Sequence, residues 1–416
     1  MLRLMAARCR FWGIRSFSCL VAPARLHTGH GVTDRHRFLL PAICPLLVAV
    51  ASRADLPICR VELLGPALNG FAMNQRGTVV GRRLDAQQVG HAFIVPAGST
   101  EPQDLPVPVE WRSSDAYAVS DNGIVVGAVS AATIASIGSR PAAWYPTASG
   151  WDFALLPALP GDTHGAAFGV NDHGDIVGGS GGLGLGSYPR AARFSPVAAI
   201  ELPGIGTPAD VNGARVVVAG NQLLDLATMA VSTIPLPPGN WQGVVAVDLS
   251  ESGGICGWIA GFSGCSNFAV RWLPATGWDF IGGCATTTSA TGLNDRGDAL
   301  HFVQNGGVAA SMVPEGNVPI EAMIDPAAGA WAVSGVSTIT NDRKMLVSLR
   351  PVTGGANVLA RLVPQRGPDL DGDGAVDGGD LGLLLGAWGS AGADLDGDGA
   401  TSGSDLGILL GAWTGA

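Results

Sequence analysis

Three stretches of the chain share one pattern: AMNQRGTVVG (Ala72 to Gly81), AVSDNGIVVG (Ala118 to Gly127) and GVNDHGDIVG (Gly169 to Gly178). Each has a small residue and an apolar residue, then Asn or Ser, two polar residues, Gly, and a short run that ends in Gly. Asn and Gly tolerate the positive φ of a tight turn, and the β-branched residues that follow suit a short buried strand. The pattern therefore predicts a turn followed by a strand, repeated along the chain.

Weaker copies of the same pattern continue to the end of the array. Across all the copies, the spacings between the Asn or Ser residues that anchor successive turns are 46, 51, 41, 38, 44 and 47 residues. Repeats of about 40 to 50 residues with four short strands each are typical of propeller blades. The seven anchors are Asn74, Ser120, Asn171, Asn212, Ser250, Asn294 and Asn341.

Seven anchors predict a mainly β chain with a seven-bladed β-propeller over residues 55–364. A strand over Ile58 to Leu64 is expected to close the ring by pairing into the last blade. Since the later copies drift, six or eight blades stay open as alternatives, and so does a pair of β-sandwiches.

The repeats resemble the HAF extracellular repeat family, named for a His-Ala-Phe that occurs here once, at His91 to Phe93. The resemblance covers most of residues 60–365. It implies a propeller-like fold and an extracellular location, and it implies no particular chemistry.

A second repeat ends the chain. DLDGDGAVDGGDLGLLLGAWG (Asp369 to Gly389) and DLDGDGATSGSDLGILLGAWT (Asp394 to Thr414) start 25 residues apart, and each opens with three Asp at alternate positions. A calcium ion takes six to eight oxygen ligands, which a twelve-residue loop supplies from fixed positions with Gly at the turn. The pattern predicts two calcium ions with ligands Asp369, Asp371, Asp373, Ala375, Asp377 and Asp380 for one, and Asp394, Asp396, Asp398, Ala400, Ser402 and Asp405 for the other.

A helix is predicted after each loop. Leu381, Leu384, Leu385 and Trp388 fall at i, i+3, i+4 and i+7, which places them on one apolar face. The second copy repeats the spacing 25 residues later. Residues 369–416 carry nine Asp and no Lys or Arg, so folding of this small all-α module is expected to depend on calcium. The alternative is a merely solvated acidic tail.

This duplicated loop and helix resembles the type I dockerin module, over residues 369–416 after a short linker at 365–368. The resemblance implies two calcium ions and a cohesin-like or cell-surface protein partner. Partner recognition in that family uses loop positions 10 and 11, which are Gly378 and Gly379 in the first copy and Gly403 and Ser404 in the second. Only Ser404 offers a hydroxyl, which is a departure from the family pattern.

The first 54 residues read as a leader. They hold eight Arg and one Asp, a net charge of +7, and an apolar run over Phe38 to Val50 precedes a Ser52-Arg53-Ala54 cleavage pattern. We expect a secretory signal peptide that is cut near Ala54, with Val32 as an alternative start. The remainder then carries −10 − 7 = −17, which disfavours nucleic acid as a partner, and no later apolar run predicts a transmembrane anchor.

No catalytic motif is recognisable. The chain has no phosphate-binding loop of the GxxxxGK[ST] type and no HExxH, and no catalytic residue is nominated. The sequence therefore predicts a secreted calcium-binding protein, in which the propeller is a binding or structural platform and the last module docks or adheres. The alternative is an extracellular polysaccharide-degrading enzyme carried by its module. A glycan is a candidate ligand, and for the platform so is a protein.

Overall fold

The computed structural model describes ten segments of the chain. The leader predicted over residues 1–54 lies outside them, with its apolar run and cleavage site. The described segments are residues 57–132, 138–182, 188–261, 267–282, 288–303, 307–313, 316–365, 367–370, 376–396 and 399–414.

The chain forms seven antiparallel sheets of four strands each. Strand β1 (Cys59–Pro66) belongs to the last sheet, and the other strands follow in chain order, four to a sheet until the last. They are β2 (Leu68–Met73), β3 (Val79–Leu84), β4 (Gly90–Val95) and β5 (Gln103–Asp104) in blade 1; β6 (Ser113–Val119), β7 (Val125–Ser130), β8 (Arg140–Thr147) and β9 (Gly150–Leu155) in blade 2; β10 (His164–Val170), β11 (Ile176–Gly181), β12 (Arg190–Phe194) and β13 (Ala199–Glu201) in blade 3; β14 (Asp210–Val211), β15 (Val216–Ala219), β16 (Gln222–Asp225) and β17 (Val231–Thr233) in blade 4; β18 (Trp241–Leu249), β19 (Ile255–Gly261), β20 (Asn267–Leu273) and β21 (Gly277–Phe280) in blade 5; β22 (Ala290–Leu293), β23 (Ala299–Phe302), β24 (Val308–Met312) and β25 (Gly316–Pro319) in blade 6; β26 (Trp331–Ile339), β27 (Met345–Pro351) and β28 (Val358–Pro364) in blade 7.

The first strand of every blade contacts the first strand of the next. These contacts run from β2 to β6, β10, β14, β18, β22 and β26, and β26 returns to β2. The seven inner strands therefore surround one axis, and the molecule is a seven-bladed β-propeller. The prediction of seven blades is confirmed, and the alternatives of six blades, eight blades and two sandwiches are excluded.

The ring is closed by the start of the chain. Strand β1 lies antiparallel to β28, with Cys59 opposite Pro364 and Val61 opposite Leu362. Blade 7 thus takes three strands from the end of the array and its outermost strand from the beginning, as predicted. Because one sheet joins both ends, the blades cannot separate at that point without breaking a full ladder of backbone hydrogen bonds.

Each repeat turn is held by two backbone hydrogen bonds. In blade 1, the Asn74 N–H donates to the Thr78 carbonyl (3.0 Å) and the Gly77 N–H donates to the Asn74 carbonyl (2.9 Å). Gly77 has a φ of 91°, a conformation that is strained for residues with a Cβ. The predicted turn chemistry is therefore confirmed.

The seventh anchor was predicted one residue too late. The same two bonds in blade 7 are made by Thr340, whose N–H donates to Lys344 (2.9 Å) and whose carbonyl accepts from Arg343 (3.0 Å). Asn341 is the next residue and lies where Gln75 lies in blade 1. The error arose because Asn341-Asp342 has the same two residues as the Asn-Asp anchors of blades 3 and 6. The turn is fixed by backbone hydrogen bonds, however, and Thr340 makes these as well as Asn does.

The core lies between successive blades. Aliphatic side chains from the second and third strands of one blade pack against the inner strand of the next, as Val80 and Ala92 do against Ala116 and Val119. Trp144 is fully buried in the same cluster, and its indole N–H donates to the Pro106 carbonyl (2.7 Å). Burial of each such side chain contributes on the order of 2 kcal/mol, so every interface between blades is a small hydrophobic core.

Two short helices follow the last Asp-rich loops, α1 (Gly378–Gly386) and α2 (Gly403–Gly411). Helices were predicted at both places, but not all of the predicted apolar face is buried. Leu384 is buried, whereas Leu385 is 53% exposed and Trp388 lies beyond the end of α1. The buried side of α1 is formed by Asp380 and Leu384, and Leu381 packs against the same core.

Short 3-10 turns occur at Ile320–Met323, Pro326–Ala328 and Ala391–Ala393. Among the described residues, no helix has both the length and the apolar character needed to cross a bilayer.

Candidate functional site

The anchors of the seven turns form a ring around one end of the axis. Where the anchor is Asn, its side chain bonds in two directions. The Asn74 Oδ1 accepts from the Thr78 N–H (2.9 Å) in its own turn, while its Nδ2 donates to the Ser120 carbonyl (2.8 Å) of the next blade. The same inter-blade bond recurs from Asn171 to Asn212 (2.8 Å), from Asn212 to Ser250 (3.2 Å) and from Asn294 to Thr340 (3.0 Å).

The residues that directly follow the anchors form a second ring. In blade 2 the carboxylate of Asp121 accepts from the Gln75 N–H of blade 1 (2.8 Å), and in blade 5 that of Glu251 accepts from the Gly213 N–H of blade 4 (2.7 Å). The ring closes where the Gln75 Oε1 accepts from the Asn341 N–H (2.7 Å). Its side chains are Gln75, Asp121, Asp172, Glu251, Asp295 and Asn341, and blade 4 has Gly213 at this position.

These rings surround a cavity of about 370 Å³ that all seven blades line. Four carboxylates of the second ring lie at it, those of Asp121, Asp172, Glu251 and Asp295. Burial raises the pKa of Glu251, and the charges of the other three carboxylates raise it further. No Lys, Arg or His is found among the described residues that line the cavity, so its potential is negative.

Two more carboxyl groups lie in the same cavity, on the inner strands of blades 4 and 5. Asp210 and Asp248 each precede their anchor by two residues, on inner strands that contact each other, and their carboxyl groups interact directly. The Asp248 Oδ2 also accepts from the Leu293 N–H of blade 6 (2.7 Å). Burial is the main cause that raises the pKa of Asp248, to about 6, and it raises the pKa of Asp210 well above its ordinary value.

The second Asp-rich loop brings three predicted ligands together. One carboxylate oxygen from each of Asp394, Asp396 and Asp405 lies within 4.8 Å of the others. Asp405 is fully buried, and it accepts from the backbone N–H groups of Leu395 (2.6 Å), Asp396 (3.0 Å) and Ser402 (2.6 Å). Burial raises the pKa of Asp405, but these donors outweigh burial and hold it below its usual range.

Ser402 and Asp405 also begin the second helix. Ser402 is the N-cap of α2, and its side chain and that of Asp405 form a reciprocal capping box. Asp377 and Asp380 do the same for α1. The residue at loop position 12 of each copy, Asp380 or Asp405, is therefore a carboxylate that also fixes the start of the helix.

The other predicted ligands divide into two groups. Asp369 and Ala400 are described but are not among the three carboxylates that converge. Asp371, Asp373, Ala375 and Asp398 lie outside the described residues.

The two copies pair with each other in equivalent ways. In the first copy the Val376 carbonyl accepts from the Thr414 N–H (2.9 Å), and in the second the Thr401 carbonyl accepts from the Gly389 N–H (2.9 Å). Residues 25 apart thus exchange roles, as a local two-fold axis requires. Leu384 and Leu409 meet in the shared core beneath these contacts.

The outward sides of both helices are apolar. Leu383 and Leu385 of α1 are 50% and 53% exposed, and their counterparts Ile408 and Leu410 of α2 are 40% and 52% exposed. The sequence pattern had placed Leu385 on the packed face and had not singled out Leu383.

The cavity carboxyl groups of the propeller were not nominated from the sequence. Asp210 and Asp248 are 38 residues apart, and only the superposition of the repeats places both two residues before an anchor. That superposition was available in the sequence and would have shown acids at adjacent positions of neighbouring blades.

No protein-family model matches the chain, and no protein of curated function matches it. Among solved structures, the chain is similar to one in the structure titled "YCF48 bound to D1 peptide", at 12% sequence identity and a TM-score of 0.43. The similarity covers 74% of this chain and 98% of that one.

Proposed function

We propose that the protein is a secreted, calcium-binding protein in which the propeller is a binding or structural platform and the C-terminal module is a docking or adhesion unit. The observation that carries the proposal is the convergence of Asp394, Asp396 and Asp405 at the start of α2. Calcium prefers carboxylate oxygens in a flexible arrangement, and the sequence supplies the same residue types twice.

Calcium is further supported by the charge of the module. Nine Asp lie in residues 369–416 with no Lys or Arg, and a bound divalent cation would offset their mutual repulsion. Asp394, Asp396 and Asp405 would hold one ion, and the corresponding Asp369, Asp371 and Asp380 would hold the other. Each ion would supply a positive charge that holds the carboxylates of its loop in place.

A docking role is supported by the exposed Leu and Ile side chains on α1 and α2. Apolar side chains that recur at equivalent positions of both helices are typical of a protein interface. The partner proposed is a cohesin-like or cell-surface protein. For the propeller, the acidic cavity on the axis is the proposed place of binding, and a glycan is a candidate ligand.

Calorimetry on the full chain tests the calcium proposal. We expect two ions for the wild type and one for D394N/D396N, with the exposed Asp152→Asn as a control that removes one charge elsewhere. Absence of binding at about millimolar calcium, the weak end for such loops, would overturn the proposal. The first residue of the protein recovered from the medium tests secretion, and we expect it to follow Ala54.

The alternative, a polysaccharide-degrading enzyme, needs two carboxyl groups on either side of the scissile bond, roughly 5 to 9 Å apart. Of the six carboxyl groups at the cavity, those of Asp210 and Asp248 interact directly, which leaves no room for a sugar between these two. The platform is the preferred proposal because the sequence nominates no catalytic residue. Hydrolysis of a polysaccharide panel that is lost in D248N would reverse that preference.

A further inference from the structure

The carboxyl groups of Asp210 and Asp248 meet on the inner strands of blades 4 and 5, and each also contacts the blade on its other side. They occupy the same repeat position on neighbouring inner strands, and this position is Ala72 in blade 1 and Gly292 in blade 6. Asp210 lies against blade 3, since a Cβ added to Gly169 would be 2.8 Å from its Oδ1. Asp248 is tied to blade 6 through the Leu293 N–H (2.7 Å). Neither carboxyl group can turn away from the other without losing these contacts.

We propose that Asp210 and Asp248 form a proton-dependent clasp between blades 4 and 5, which holds the propeller most tightly in mildly acidic solution and loosens as the pH rises. Two carboxylates in contact repel each other, whereas a carboxyl group that keeps its proton donates to the neighbouring carboxylate. The shared proton thus turns a repulsive contact between blades into a hydrogen bond.

The groups that face this pair do not supply a cation in place of the proton. Glu251 lies near Asp210 and adds negative charge, and the Cys256 thiol faces Asp248 from β19. Asp121, Asp172 and Asp295 line the same cavity, and none of the described lining residues is basic. The proton is therefore the counter-charge that the described surroundings provide.

The sign of the effect follows from the direction of the pKa change. Burial raises the folded-state pKa of Asp248 from 3.8 to about 6, and that of Asp210 is raised as well. A group with a raised folded-state pKa contributes its full stabilisation below the unfolded value and loses it as the pH rises through the folded value. The clasp is then complete near pH 4 and weakens above about pH 6.

Urea unfolding of the full chain at pH 5 and pH 8 tests the clasp. Between these values the unfolding constant of the wild type should rise by about tenfold or more relative to D210N/D248N, since one pKa unit corresponds to a factor of about ten. Asn keeps an oxygen for the Leu293 N–H and can donate without a titrating proton. The exposed Asp152→Asn should respond to pH as the wild type does. An equal pH response of the wild type and D210N/D248N would overturn the clasp.

Infrared spectroscopy keeps the test decisive if the double variant does not fold. The wild type should show the absorption of a protonated carboxyl group at pH 5.5, above the ordinary Asp range of about 3 to 5. Its absence at that pH would overturn the proposal, and its presence in the wild type but not in the single variant D210N or D248N would support it.

Discussion

Arg215 of blade 4 holds Asp175 of blade 3 through two hydrogen bonds, Nε to Oδ2 at 2.8 Å and Nη2 to Oδ1 at 3.1 Å. Arg215 occupies the turn position that is Gly in five blades and keeps its positive φ, at 64°. The replacement of the turn Gly by Arg recurs once, in blade 7, where Arg343 (φ 64°) binds Asp298 of blade 6. Both Asp directly follow the turn Gly of their own blade, so an Asp in one blade is matched by an Arg in the next.

Arg343→Gly should destabilise the propeller by about 2 kcal/mol. Removing the left-handed strain of a residue with a Cβ returns about 1–2 kcal/mol, but Asp298 is fully buried, and a buried charge that loses its partner costs about 3–5 kcal/mol. Arg215→Gly should cost less, because Asp175 keeps Arg193 (Nη2 to Oδ1, 2.5 Å). Urea unfolding at pH 7 measures both.

The double variant D298T/R343G is the matched control, since Thr78 stands at the equivalent place in blade 1. It should recover most of the loss. The pKa of Asp298 is lowered overall, because Arg343 outweighs burial, so its stabilisation is present above pH 3.8 and is lost below. The difference between the wild type and R343G should therefore shrink toward pH 3, and a difference that does not depend on pH would contradict this account.

The repeated turns made the seven-bladed propeller predictable from the sequence, whereas the position of the last anchor and the contact between Asp210 and Asp248 were not predicted. Asn-x-x-Gly fixes the turn locally, so its spacing predicted seven blades even where Arg215 or Arg343 replaces Gly. The anchor of blade 7 was misplaced because Asn341 resembles an anchor, while the backbone bonds come from Thr340. The contact between Asp210 and Asp248 appears only when the repeats are superposed, because the two residues are 38 positions apart and no single repeat contains both.

Ser250→Asn should stabilise the ring of anchors by about 1 kcal/mol. Asn212 shows what such a side chain does, since its Oδ1 accepts from Val216 (3.0 Å) and its Nδ2 donates to the Ser250 carbonyl (3.2 Å). The Ser250 Oγ accepts from the Gly254 N–H (2.9 Å) but is too short to reach the carbonyl of Asn294 in the next blade. Asn at this position adds that bond, and a buried hydrogen bond contributes about 0.5–1.5 kcal/mol.

The reverse change, Asn212→Ser, should cost a similar amount and serves as the matched variant. Urea denaturation midpoints of the wild type and both variants provide the measurement. If all three unfold at the same urea concentration, the inter-blade bonds of the anchor ring add nothing to stability.

Asp405→Asn should loosen the second loop whether or not calcium is present. Three backbone N–H groups donate to Asp405, and an amide leaves one oxygen to accept them and turns an NH₂ group toward the others. Asp396→Asn should weaken calcium binding but leave these bonds in place. Hydrogen exchange of the Leu395 and Ser402 amides, with calcium and with a chelator, separates the two effects. Equal protection in both variants without calcium would show that Asp405 is only a ligand.

His301 should oppose the clasp between pH 5 and pH 7. Its side chain is fully buried in β23, and burial lowers its pKa below 6.5, although hydrogen bonds to the Phe302 carbonyl and the Asn317 Oδ1 act the other way. A His with a lowered folded-state pKa contributes stability that is full above pH 6.5 and is lost as the pH falls. His301→Gln removes this titration and keeps a polar side chain.

The clearest background for this measurement is D210N/D248N, in which the clasp no longer titrates. There, thermal unfolding should occur at a lower temperature at pH 5 than at pH 7, and His301→Gln should remove most of that difference. A difference that survives His301→Gln would place the titration on another group. Because His301 is unchanged in the comparison of the wild type with D210N/D248N, its contribution cancels there, and the two titrations can be assigned separately.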